Sequence, residues 1–284
     1  MSPEEFESAA RFIKERSGLV LTRDKAYLLE NRLLPVVREH HLKSVSDLMA
    51  AAQGGNPALQ TAVIDAMMTK ETAFFRDWKP FEHFREIVLP NIRVSRGMKT
   101  GFRVLCAGVS TGQEAYSAAM TIRDVAAAFS GWQADVVGID VSSSAIEAAN
   151  KGIYSQFDVQ RGLPVRALLR HFTKQDDAWV IHDDVRSFVK FQTWNLLEDL
   201  FQLGRFDVIF CRNVLVHLDL KAKFDVVQKI SRLLVDDGVL YLGLNETLTG
   251  ISKSFRAVDP ATGIYAMHRA DRPTALSLAT KIDR

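Results

Sequence analysis

The first chemical signal in the chain is a run of small residues between two helix- and strand-forming segments. Arg103–Cys106 is a short apolar run, Gly108, Ser110, Thr111 and Gly112 follow, and a helix-forming run starts at Gln113. A strand, a small-residue turn and a helix N-terminus together make a seat for a nucleotide-like ligand. The backbone can come close there, and unpaired N–H groups point at the ligand. Further on, Ala134–Ile139 ends in Asp140. An acidic residue at the end of a second strand suits a ribose diol, because a carboxylate accepts from both hydroxyls. A tight strand-to-helix connection with no ligand would use the same turn residues. The dinucleotide pattern G-x-G-x-x-G is not met, since Val109 and Ser110 stand where the second glycine belongs. A pyrophosphate would find little room. A nucleoside ligand without a diphosphate, such as S-adenosylmethionine, remains open.

The elements that must position these residues fall into two compositional regions. Residues 1–78 read as helices. Phe6, Ala9, Ala10 and Ile13 fall at helical spacing with Phe12 beside them, and Leu28, Leu29, Leu33 and Val37 suggest a second helix after a cap near Thr22 to Asp24. Ser46–Ala52 and Leu59–Met68 suggest two more, separated by a loop at 53–57. A second domain is expected over residues 79–270, and from about residue 101 its pattern is alternating strands and helices, which argues for a parallel sheet with crossover helices. The expected strands are Arg103–Cys106, Asp135–Ile139, Phe188–Gln192, Phe206–Cys211 and Val239–Leu244. The expected helices are Gln113–Ser130, Ser143–Asn150, Pro164–His171 and Leu220–Leu234. Trp179–His182 and Val185–Val189 are expected to pair as a small antiparallel addition, within a β-subdomain at about 172–192. Residues 271–284 read as a loosely held tail. In an open parallel sheet, ligands sit beyond the carboxyl ends of the strands. That rule gathers Gly108–Glu114, Asp140, Asn195-Leu196 and Cys211–Asn213 round one crevice.

Composition sets the class. The 284 residues are 47% hydrophobic and 25% charged, with a net charge of +2, as in an ordinary soluble globular protein. No bulk field would draw in nucleic acid, and no run approaches the roughly 18 apolar residues of a membrane span. The opening MSPEEFESAA lacks a basic-then-apolar signal pattern, so a cytoplasmic protein is expected. Cys106 and Cys211 read as buried thiols, and no Cys/His cluster has zinc spacing, so no metal is implied.

Several segments in one order carry a resemblance. They are Met68–Asp77, Cys106–Ser117, Gly138–Ser142, Asn195–Leu197, Phe206–Leu215 and Gly243–Thr247. Over residues 5 to 268 the chain resembles the chemotaxis receptor methyltransferases of the CheR type, protein-glutamate O-methyltransferases. The resemblance implies a Rossmann-like α/β methyltransferase domain, a small all-helical N-terminal domain and a small antiparallel β-subdomain near Ile181–Phe191. It implies S-adenosylmethionine as cofactor, with S-adenosylhomocysteine as product, and the cytoplasmic helices of chemoreceptors as partners. Thr72 and Arg76 would lie against the methionine part. Glu114 would contact the cofactor from the loop at Gly108, and Asp140 would hold the ribose. Asn195 and Leu196 would border the adenosyl group, and Arg212 and Asn213 the pocket floor. The β-subdomain of some members binds a receptor C-terminal peptide. The chain departs from the family pattern at Lys70 (asparagine is usual), Ala115 (proline), His217 (a tyrosine near the transferred methyl) and Leu244-Asn245 (His-Ser). A monomer is expected.

Methyl transfer to a carboxylate needs alignment and removal of water rather than acid–base help. The absence of a Ser-His-Asp or two-carboxylate arrangement fits that demand. Arg76 and His217 are the candidate catalytic residues: Arg76 because its fork suits two carboxylate oxygens, His217 because its charge would change at about pH 6 to 7.5. Lys70 is expected to pair with the cofactor carboxylate or to point to solvent. Phe74 and Phe75 would wall the methyl pocket or fill the core. Arg11, Lys14, Arg16, Arg23, Lys25, Arg32 and Arg38 would form either a solvated face or a docking face for acidic receptor helices. Two other classes stand beside this one: a non-catalytic adenosyl-ligand sensor, and a methyltransferase acting on a small molecule or RNA.

Overall fold

A computed structural model describes residues 1–96, 101–126, 131–259 and 261–268. The tail expected after Ala270 lies outside these residues, as does the C-terminal end of the helix expected over Gln113–Ser130.

Four helices come first: α1 (Pro3–Ser17), α2 (Ala26–Glu39), α3 (Val45–Gln53) and α4 (Pro57–Met67). Ser2 and Glu5 form a reciprocal capping box at the start of α1, and Gly18 in a left-handed conformation ends it. Phe6, Ala9, Phe12 and Ile13 pack against Leu29, Leu33, Leu48 and Val63 in one buried cluster. The cap expected near Thr22 is not made. A 3-10 turn over Arg23–Lys25 feeds α2 instead, with no side-chain cap bond. Next come α5 (Lys79–His83) and α6 (Leu89–Arg96), joined by a π-helical turn over Phe84–Val88. Phe81 and Phe84 of this stretch pack on Phe210 of the sheet.

The strands are β1 (Gly101–Ala107), β2 (Gln133–Asp140), β3 (Ile153–Ser155), β4 (Phe172–Gln175), β5 (Ala178–Ile181), β6 (Val189–Thr193), β7 (Phe206–Cys211), β8 (Leu234–Leu242), β9 (Phe255–Asp259) and β10 (Ile264–Met267). The further helices are α7 (Gln113–Asp124), α8 (Ser143–Lys151), α9 (Gln156–Gln160), α10 (Val165–His171), α11 (Asp183–Arg186) and α12 (Leu220–Leu233). The main sheet has seven strands in the order β6-β2-β1-β7-β8-β10-β9. Strands β6 to β8 run parallel, and β9 and β10 are antiparallel additions. The chain leaves β1 to one side for β2 and returns on the other as β7. A crevice therefore opens beyond the carboxyl end of β1. Every residue of β7 is buried, as expected for a strand covered on both faces.

The small three-stranded sheet differs from expectation. β5 pairs with β3 and β4, not with Val185–Val189. Residues Asp183–Arg186 form α11, and Val189 opens the edge strand of the main sheet. The reason is packing: Phe191 sits over Gly138, where any Cβ would come within 2.6 Å of its ring. β8 also starts earlier than expected and stops at Leu242, because Gly243 donates its N–H to the Glu246 side chain rather than continuing the ladder.

Candidate active site

The loop after β1 is fastened to the end of β2. The N–H groups of Gly108 and Val109 both donate to the Ile139 carbonyl, at 2.8 and 3.0 Å. Ser110, with φ of 53°, donates its N–H to Asp140 Oδ2 at 2.8 Å, and Ser142 donates to Oδ1 at 2.9 Å. Gly112 starts α7 with φ of 98°. Ala149, Tyr154 and Phe191 crowd the place a Cβ would take there, so a larger residue is excluded twice over. Burial pushes the Asp140 carboxyl above its usual range, and the backbone N–H groups of Ser142, Ser110 and Val141 pull it partly back. Each carboxylate oxygen has two acceptor positions, so one on each stays available to a ribose hydroxyl.

Beneath this loop lies a buried ion cluster. Arg212, at the end of β7, donates to Glu114 Oε2 at 2.9 Å, to Asp77 Oδ2 at 2.6 Å and to the Arg76 carbonyl at 2.8 Å. Burial raises the Glu114 carboxyl, and the Arg212 guanidinium opposes the rise. Glu246 organises the next segment. Its Oε2 accepts from the N–H of Asn213 and of Gly243, and its Oε1 from that of Val216. These bonds hold Asn213 in a left-handed conformation (φ 60°) and shape the turn that ends at His217. Sequence reasoning assigned no role to Asp77 or Glu246. Both lie inside the segments that carried the family resemblance, which was the only signal available for them.

The helical region closes the crevice from above. Asp65 Oδ2 accepts from Ser143 Oγ and Ser144 N at the start of α8. Asn195 Nδ2 donates to the Arg16 carbonyl at 2.7 Å, Val20 N to the His217 carbonyl, and Lys14 pairs with Asp219 at 2.6 Å. The result is a cavity of about 300 Å³. Thr72, Arg76, Gly108, Glu114, Asp140, Asn195, Leu196, Arg212, Asn213 and His217 all face it, together with Ser17, Leu19 and Met67–Thr69 from the helical side.

Lys70 does not line this cavity. Its ammonium donates to Ser144 Oγ at 2.9 Å, because the chain has turned toward α8 at that point. Phe74 and Phe75 do not line it either. They are buried edge-on against Tyr154, Phe172 and Phe81 as core. His217 lies on the wall at its solvent-exposed rim. Burial, with Lys25 and Arg32, lowers its pKa from the ordinary value, against the pull of Glu246. The charge change expected at about pH 6 to 7.5 therefore moves to the acidic side of 6.5. Of the basic side chains in the helical region, Lys14 and Arg23 are spent on ion pairs, and Arg32 on the Met67 carbonyl and Thr69.

The lining fits an adenosyl sulfonium amino acid. Asp140 offers acceptors, and Leu196, Val109 and Val141 offer apolar faces. Two polar atoms on the wall, Ser110 Oγ and Arg212 Nε, are buried without a partner and await one. Among the described residues no His, Cys, Asp and Glu cluster is arranged to hold a metal, and no helix is long and apolar enough to cross a membrane.

Residues 70–264 match the family model of the CheR methyltransferase SAM binding domain, and residues 4–68 that of the CheR methyltransferase all-alpha domain. The chain belongs to the CheR methyltransferase family. It is 36% identical over 268 residues to a chemotaxis protein methyltransferase of Vibrio anguillarum, covering 93% of this chain and 96% of that one. It is 34% identical to chemotaxis protein methyltransferase 1 of Pseudomonas aeruginosa, covering 92% and 96%. Among solved structures, PKMT2 from Rickettsia typhi aligns with a TM-score of 0.37 at 14% identity, over 61% of this chain and 26% of that one. The CheR-family chain is thus a methyltransferase that uses S-adenosylmethionine.

Proposed function

We propose that this chain transfers the methyl group of S-adenosylmethionine to glutamate side chains on the cytoplasmic helices of chemoreceptors, forming methyl esters during chemotactic adaptation. The observation that carries this reading is the Arg76 guanidinium on the cavity wall. Among the described residues, the one hydrogen bond that its side chain makes, to the Glu71 carbonyl, is long at 3.5 Å. A cation held this loosely can take a carboxylate, and its fork suits two oxygens.

The cofactor, when bound, supplies an already activated methyl group on a sulfonium. The chain's residues then have three tasks. Asp140 and the Gly108–Ser110 backbone fix the nucleoside end. The Glu114–Arg212–Asp77 cluster fixes the turn that carries Arg76. The apolar lining, with Val214, Val216 and Leu218 beside His217, keeps water from the incoming carboxylate. No proton need be moved, since a glutamate is already an anion at neutral pH. Alignment of this kind supplies several kcal/mol of barrier reduction.

The test is transfer of labelled methyl from the cofactor to receptor-rich membranes, scored as label released by alkali. Wild type should give alkali-labile label, and Arg76→Ala should lose most of it while still binding S-adenosylhomocysteine. Tight cofactor binding with no label transferred by wild type would refute the reading and favour a sensor.

A further inference from the structure

A second cavity, of about 350 Å³, lies behind the Phe75–Trp78 turn, on the far side from the cofactor cavity. It falls in the size range of small-molecule sites. Its wall joins two aromatic rings, Phe75 and Trp78, to three guanidiniums: Arg85 from the π-helical turn, and Arg166 and Arg170 from α10. Two carboxylates, Glu82 and Asp124, complete the charged lining. We propose that this cavity binds a nucleoside monophosphate.

The chemistry of the wall divides into three parts that such a ligand would use together. Trp78 is 42% exposed, and its ring, 5.3 Å from that of Phe75 and tilted by 50°, leaves part of the indole surface open to the cavity. A planar base stacks on such a face, and arginine planes add to the attraction. A phosphate takes paired N–H donors from arginine. Among the described residues, the ion pairs these two make are Arg85 with exposed Glu86 and Arg170 with half-exposed Asp124, both at 2.7 Å. Surface pairs of this kind are weak and yield readily to a dianion. Arg166 is exposed on α10 and adds a third cation. Glu82, on α5, can accept from ribose hydroxyls. An apolar molecule would leave the guanidiniums unused, and a bare anion would leave the indole unused. The wall is also the turn that carries Arg76, so an occupant touches the backbone behind the methyl-transfer site.

The test uses the full chain loaded with saturating S-adenosylhomocysteine, so that the cofactor cavity is blocked. Guanosine monophosphate is titrated by calorimetry beside guanosine and inorganic phosphate. The monophosphate should saturate a single site, with guanosine and phosphate each weaker by about tenfold or more. Arg166→Ala and Trp78→Leu should each weaken the monophosphate by about tenfold, with S-adenosylhomocysteine affinity unchanged in Arg166→Ala as the check on folding. No saturable heat from the monophosphate in cofactor-loaded protein would overturn the proposal. So would equal affinity for phosphate alone, or binding indifferent to both variants. Loss of methyl transfer to receptors would leave this site untouched, because its readout is binding alone.

Discussion

Protonation of His217 would add a cation to a wall that Arg76 already lines, beside a cofactor whose sulfur is itself positive. Burial and the neighbouring Lys25 and Arg32 lower its pKa from 6.5, so the ring is neutral at pH 7 and gains its charge only in more acidic solution. The expected outcome is a cofactor affinity that is flat above pH 6.5 and falls below it. The fall should be steeper for S-adenosylmethionine than for the uncharged thioether S-adenosylhomocysteine. His217→Tyr should remove most of the difference between the two ligands; calorimetric titrations across pH 5 to 8, a span of about one and a half units either side of the ordinary histidine value, decide it. Glu246 acts differently. It satisfies three backbone N–H groups at once, two in the turn at 213–217 and one after β8. Glu246→Ala leaves buried donors unpaired, at a cost of about 1–3 kcal/mol for each that water cannot reach. A lowered melting temperature and weakened cofactor binding should appear together. If the melting temperature stays put, water has replaced the carboxylate.

Between Phe75 and Trp78, three non-glycine residues have positive φ, of 47°, 64° and 43° at Phe75, Asp77 and Trp78. Such conformations cost on the order of 1–3 kcal/mol each and persist only where surroundings enforce them. Here Ser117 Oγ accepts from Phe75 N, and Arg212 grips both the Arg76 carbonyl and the Asp77 carboxylate. Asp77→Ala removes one anchor and also places alanine where aspartate tolerates positive φ. Arg76 should then lose its fixed position. A fall in kcat for methyl transfer is expected, with S-adenosylhomocysteine affinity changed far less; an unaltered kcat would show that the Arg212–carbonyl bond suffices. This turn also marks where the sequence stops being legible. The apolar runs of β1, β2, β7 and β8 and the periodic stripes of α1 to α4 declare themselves, because burial on two faces or one stripe dictates residue type directly. The turn at 75–78, the π-helical stretch and the β9–β10 hairpin do not. Their conformations come from distant anchors such as Arg212 and from pairing of β10 with β8, and no local pattern encodes those. The same holds in the site. Asp140 and the Gly108 loop can be read from spacing, whereas Lys70, read as either a cofactor partner or a solvated lysine, donates to Ser144.

Across the whole molecule, the helical region, the α5–α6 stretch and the sheet are tied by polar links that burial makes sensitive to pH. His83 of α5 lies against β8, with its Nδ1 2.8 Å from the Tyr241 hydroxyl, and burial lowers its pKa to about 4, with Asp259 opposing. In the unfolded chain the ring would take its proton near 6.5. Between those two values the unfolded state binds more protons than the folded one, so stability falls as pH falls through that window and is unaffected above it. A shift of this size corresponds to about 3 kcal/mol once both limits are passed. His83→Gln keeps a hydrogen-bonding group for the Tyr241 hydroxyl but cannot titrate. Urea unfolding at a series of pH values should therefore show the variant close to wild type at pH 7 and increasingly more stable, relative to wild type, as pH falls from 6.5 toward 4. Taking the difference between the two proteins cancels the many carboxylates that titrate in the same range. A parallel pair of curves would mean that His83 is protonated in the folded protein, with its charge carried by Asp259 or by water admitted between α5 and the sheet.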